Sequence, residues 1–111
     1  MLTLPIKKRW FDMICSGEKT DEYREITPYW AKRFGWQEDY EYSDNHPPDR
    51  VHKLVMVSTN LTVIFKNGYG KDSPQIKCLV HITKGQGKAA WGAIPGKEYF
   101  VLHIEKILER N

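Results

Sequence analysis

From position 51 onward the chain alternates short apolar runs with turn-forming residues. VHKLVMVS, LTVIFK, IKCLVHITK and YFVLHIEKIL are rich in valine, isoleucine, leucine and aromatics, with glycine, asparagine and proline between them. Four strands are predicted there. Ahead of them, LTLPIKK alternates as a first strand, and Pro5 marks an edge or a strand end. Residues 8 to about 16 predict a short helix that carries Trp10, Met13 and Ile14 on one face and stops at Gly17. TDEYREI predicts a second strand, whose two-residue period sets Thr20, Glu22 and Arg24 on one face and Asp21, Tyr23 and Glu25 on the other. Thr27 before Pro28 is a hydroxyl N-cap followed by proline at the first helical position, so a second short helix should run to Gly35. Residues 37–50, QEDYEYSDNHPPDR, combine five acids and two prolines with no aliphatic side chain, and predict an exposed loop.

The order strand, helix, strand, helix and then four strands implies an α+β domain with a curved or closed, mostly antiparallel sheet. A chain of 111 residues, 41% hydrophobic, suits one domain spanning 1–111 with its own core. Its longest apolar runs, such as LVMV and YFVL, are too short for a membrane span, and MLTLPIKKRW lacks a secretory pattern. A soluble, cytoplasmic protein is expected. Cys15 and Cys78 are far apart, and no Cys/His cluster has metal-ligand spacing, so no metal and no cofactor are expected. His46, His52, His81 and His103 are read as structural or surface residues.

Charge changes the picture through its distribution. The net charge is +3, but between positions 53 and 97 lysines 53, 66, 71, 77, 84, 88 and 97 face a single acid, Asp72. That stretch favours an anionic partner if its lysines share a face, and is otherwise a solvated surface. Two glycine-rich loops, KNGYGKDSP and GQGKAAWGAIPG, place Tyr69 and Trp91 among lysines. Bases of single-stranded RNA stack on such rings while lysines follow the phosphates, so Tyr69, Trp91, Lys66, Lys71, Lys84 and Lys88 are candidate contacts. Trp30 is a third candidate platform, and each of these rings could equally serve core packing. GQGKAAWG is no nucleotide-triphosphate loop: it lacks Gly-Lys-Ser/Thr at the required spacing, and Ala90 stands at the third glycine position of a dinucleotide fingerprint.

The densest candidate chemistry is SGEKTDEYRE, residues 16–25, directly behind the first helix. A lysine beside a carboxylate in a cleft has a tunable proton affinity, and a Lys/Glu/Arg group can hold a phosphate, a carbonyl or a base edge. The same residues also fit a solvated strand on which Glu22 pairs with Arg24 or a nearby lysine.

LPIKKRWFDMICSGEKTDEYRE resembles the signature of the ASCH domain family, a branch of the PUA-like fold. That signature is an opening strand, a short helix and Gly-x-Lys with an acidic or hydroxyl residue and an arginine at fixed offsets. Here the positions are Gly17, Lys19, Thr20, Glu22 and Arg24. VIFKNGYG and GAIPGKEYFVLHI are similar to segments of the small single-domain ASCH proteins of bacteria and their phages, so the resemblance covers most of the chain outside 37–50. It implies a PUA-like, mostly antiparallel β-barrel flanked by short helices, with the motif lining a cleft, and RNA binding as the associated function. One branch resembles amidohydrolases that deacetylate acetylated cytidine with a lysine, a threonine and a glutamate. Lys19 matches that lysine, whereas Glu22 takes the threonine's place and Thr20 lies two positions away. GQGKAAWGAIPG, where the glutamate is expected, holds no acid, and Glu98 is the nearest.

Three expectations follow from residues and resemblance together. The first is an RNA- or nucleobase-binding domain with Lys19, Glu22 and Arg24 at the floor of a cleft, Arg24 either touching the ligand or holding Glu22. The second is a small hydrolase of a modified nucleoside or of RNA phosphodiesters, with Lys19 and Glu22 as the catalytic pair; Glu22 would act as general base and Lys19 would stabilise the oxyanion. The third is a phage or host protein-interaction module that uses the acidic 37–50 segment.

Overall fold

The apolar alternation of the second half becomes the inner face of a curled sheet. The computed structural model describes residues 1–42, 44–46, 50–56 and 60–110, with side chains described for 1–36, 44–46 and 60–110. In chain order the elements are β1 (Leu2–Ile6), α1 (Lys8–Ser16), β2 (Asp21–Glu25), α2 (Pro28–Arg33), β3 (Trp36–Tyr42), β4 (Arg50–Met56), β5 (Asn60–Asn67), β6 (Gln75–Gln86), a 3-10 turn (Ala89–Trp91) and β7 (Glu98–Arg110). Five strands form one sheet in the order β1-β5-β6-β7-β2. Only the β1/β5 pairing is parallel; the other three are antiparallel. The sheet curls into a half-barrel with β1 and β2 as its outer strands. Register shifts opposite Lys77/Cys78 and Leu79/Val80, where β7 carries an extra residue each time, fit that curvature, because an extra residue in one strand bends it and sharpens the twist.

Period-2 burial fills the concave side. Ile76, Cys78, Val80 and Ile82 of β6 are buried, as are Val63 and Phe65 of β5, Leu4 and Ile6 of β1, and Phe100 and Leu102 of β7. Phe11 and Ile14 of α1, with Ala31 and Phe34 near α2, complete this core. Each fully buried aliphatic or phenyl side chain contributes roughly 1.5–3 kcal/mol of transfer free energy, and this is what closes the helices over the sheet. The predicted N-cap is present: Thr27 Oγ1 accepts the Trp30 N–H at 3.3 Å, with Pro28 opening α2.

One expectation is corrected. Residues 37–42 belong to β3, paired antiparallel with β4 from Trp36 opposite Met56 to Tyr42 opposite Arg50. The acids hid a strand whose sequence carries aromatics at 36, 40 and 42, a period-2 spacing with high strand propensity. Asp44, Asn45 and His46 form an exposed bend, while 43 and 47–49 lie outside the described residues. Among the described residues no helix is long and apolar enough to cross a membrane.

Candidate functional site

Lys19 is directed inward by the end of α1. Gly17 adopts a left-handed conformation (φ 82°), and its N–H donates to Ile14 O at 3.1 Å. Glycine takes this conformation without the Cβ clash that other residues meet. The Lys19 N–H then donates to Met13 O at 3.0 Å, and the Ile104 N–H donates to Thr20 O at 2.8 Å. This tied turn sends Lys19 into the protein, where it is 1% exposed, and leaves Thr20 on the surface.

Lys19 Nζ donates to Glu22 Oε1 at 3.1 Å and lies 4.6 Å from the centroid of Trp10 and 5.5 Å from that of Tyr23. Glu22 Oε1 also accepts the Tyr23 N–H at 3.0 Å. Burial lowers the pKa of Lys19 and outweighs the opposing pull of the Glu22 carboxylate. Among the described residues, buried Glu22 Oε2 has no hydrogen-bond partner, a costly arrangement for a carboxylate unless something else donates to it.

Glu22 contributes to the floor of a cavity of about 570 Å³. One wall is the β1–α1 junction, Pro5 to Lys8, together with Trp10; another is Asn67, Gly68 and Tyr69 at the end of β5. Trp91, Gly92 and Tyr99 complete the lining, with Gly92 packed against the Trp10 ring. The loop that carries Trp91 is pinned from below: Tyr23 Oη accepts the Lys88 N–H at 3.0 Å, and Tyr99 Oη accepts the Ile94 N–H at 2.9 Å. Tyr23, Tyr99 and Ala93 form a second small apolar cluster beneath it. Burial raises the pKa of Tyr23 and keeps its hydroxyl protonated.

Arg24 bridges the two outer strands. Its guanidinium donates to Tyr23 O at 2.8 Å and to Pro5 O of β1 at 3.4 Å, lies 3.6 Å from Glu22 Oε1 and sits 5.4 Å from the Trp30 ring centroid. Burial lowers its pKa against the attraction of Glu22. Arg24 thus both lines the cavity and helps to hold its floor.

The sequence candidates separate clearly. Glu22, Arg24, Tyr69 and Trp91 line the cavity, and Lys19 lies directly behind Glu22. Trp30 does not line it: the ring stacks on Phe34 at 5.5 Å and packs against the core. Thr20 points away. Lys88 lies over the Trp91 ring at 4.3 Å, at the edge of the site, and Lys84 lies over Trp36 at 4.9 Å. Lys66 is half-buried in β5 and Lys71 is exposed beyond it, and neither lines the cavity. Trp10, Tyr23, Tyr99, Asn67, Lys7 and Lys8 are further lining residues that the sequence did not single out for the site. Trp10 reads as a helix-face position and Tyr23, inside the SGEKTDEYRE motif, as lying on the strand face opposite Glu22; their place in and beside that motif is the signal that could have marked them.

Elsewhere, His81 and His103 face each other across β6 and β7, with His103 Nδ1 2.7 Å from Asp21 Oδ1. Cys78 is buried, which pushes its thiol up to about 11. Comparison with protein-family models, with curated proteins and with solved structures finds no match to this chain.

Proposed function

We propose that this chain is a small ASCH-type, PUA-like domain that binds RNA by taking a nucleobase into the cleft above Glu22. The observation that carries this reading is the half-satisfied carboxylate: Glu22 Oε1 is held by Lys19 and the Tyr23 N–H, while buried Oε2 is unpartnered at the base of an aromatic-walled cavity. A carboxylate accepts only, so the missing partner is a donor, and the amino and imino groups of bases are donors. Exposed Tyr69 and the face of Trp91 that Lys88 leaves uncovered offer rings for stacking, worth roughly 1–3 kcal/mol per base. A cavity of about 570 Å³ falls within the ordinary range of small-ligand sites.

The test is calorimetric titration of wild type and Glu22→Gln with nucleosides and short single-stranded RNAs. Wild type should bind. Glu22→Gln, folded by circular dichroism, should bind about tenfold more weakly, because a hydrogen bond to a charged acceptor becomes a neutral one. Equal binding by both proteins would remove Glu22 from recognition.

A hydrolase of acetylated cytidine or of RNA phosphodiesters is the second reading, and the contact of the Lys19 ammonium with Glu22 at 3.1 Å favours it. Glu22 would activate water and Lys19 would stabilise the oxyanion. Its difficulty is placement: the Lys19 side chain has no exposed surface behind Glu22, and Thr20 supplies no nucleophile to the cavity. Incubating wild type and Lys19→Ala with acetylated cytidine and short RNAs tests it. Product from wild type alone would establish an enzyme, and no product from either would leave a recognition domain.

A further inference from the structure

We infer that the cleft takes its nucleobase as part of a phosphorylated nucleotide, with the phosphate seated at the start of α1 between Lys7 and Lys8. This inference rests on the nucleobase reading above and assigns the other end of the ligand.

Charge around the cavity is the first observation. Its charged lining consists of Lys7, Lys8 and Arg24 against Glu22, whose charge is already matched from behind by buried Lys19. Lys8 is partly offset by Asp12, its partner one helical turn on. The mouth therefore keeps a positive excess that an uncharged nucleoside would leave unused.

Backbone geometry is the second. Helix α1 begins at Lys8 with Lys7 as N-cap, has no side-chain cap hydrogen bond and has no acid in its first turn. Its first intrahelical bond is from the Phe11 N–H to Lys7 O at 3.0 Å, so the amides of Lys8, Arg9 and Trp10 precede the helical ladder. Uncapped first-turn amides with the positive end of the helix dipole are suited to an anion. Lys7, Lys8 and Trp10 all line the cavity, so this helix start opens onto the same space as Glu22.

The third observation ties the two ends together. Glu22 is 5% exposed, and among the described residues nothing donates to its buried Oε2, so a ligand donor that reached it would relieve the cost. A nucleotide would supply both at once, a donor from its base edge at Glu22 and an anion from its phosphate at the helix start.

The test compares the four common nucleosides with their 5′- and 3′-monophosphates by calorimetry, using wild type, Lys7→Ala/Lys8→Ala and Glu22→Gln. At least one monophosphate should bind wild type about tenfold or more tightly than its nucleoside, the factor that ~1.4 kcal/mol supplies. The double lysine variant should lose that advantage while still binding the nucleoside, and added salt should erode the advantage in wild type. Glu22→Gln should weaken nucleoside and nucleotide by the same factor. Equal affinity for nucleoside and monophosphates would overturn the phosphate seat and leave the base site standing. An advantage that persists in the double variant would also overturn it, and no binding of either form would remove both proposals.

Discussion

Replacing Lys19 by methionine probes the buried pair at the base of the cleft. The substitution keeps the length and apolar stem of the side chain but removes the ammonium that lies 3.1 Å from Glu22 Oε1 and 4.6 Å from the Trp10 ring. Glu22 would keep the Tyr23 N–H at 3.0 Å and the Arg24 guanidinium at 3.6 Å. Breaking a buried ion pair from one side typically costs about 3–5 kcal/mol, because the remaining charge is left uncompensated. Since Arg24 stays within reach, the lower end applies, about 3 kcal/mol. With an unfolding entropy of roughly 2.1 cal/mol/K per residue, a chain of 111 residues has about 0.23 kcal/mol/K, so the expected fall in Tm is about 13 °C. Lys19→Met/Glu22→Gln, which removes both charges, should recover most of that loss, with a coupling of about 2 kcal/mol. Thermal and urea unfolding of wild type, both single variants and the double variant measure it. A Lys19→Met cost below about 1 kcal/mol, or additive single costs, would refute a buried, mutually dependent pair.

Other consequences are checked separately. Tyr23→Phe should cost about 1 kcal/mol through the lost bond to the Lys88 N–H and should speed hydrogen exchange at that amide; unchanged exchange would contradict the anchoring role given to Tyr23. Gly92→Ala combines a left-handed backbone (φ 95°) with a Cβ 3.0 Å from the Trp10 ring, and should destabilise by about 1–2 kcal/mol, read from its urea midpoint. Thr20→Ala, on the surface, should change the Tm by no more than a few degrees and leave RNA affinity unchanged; a large loss of affinity would contradict the outward placement.

What was legible in the sequence follows from which faces are covered. β5 and β6 bury alternate positions against the core, so their two-residue period is clean and the strands are readable. β2 is harder. Its alternation separates Glu22 from Tyr23, yet both are buried, because the loop carrying Trp91 and Tyr99 of β7 cover the second face. That long-range cover has no local signal. Thr20 drops out because the turn after Gly17 sends Lys19 inward before the strand begins. Trp30, next to the motif in sequence, is taken up by Phe34, whereas Trp10 becomes a wall of the cavity. Lysine spacing gave no warning that Lys66, Lys71 and Lys84 lie off the cleft, since a charge run carries no information about which sheet edge or turn holds each member.

The measurement that bears most directly on the cleft is a titration of the protein with a short single-stranded RNA, followed through the four tryptophan indole N–H resonances in a nitrogen-15 correlation spectrum. Trp10 and Trp91, which line the cavity, should shift on binding while Trp30 and Trp36 do not, and Glu22→Gln should weaken both shifts together. Shifts at Trp30 or Trp36 with Trp10 and Trp91 unmoved would place RNA elsewhere on the surface, and no shift at any indole would contradict nucleobase binding in this cleft.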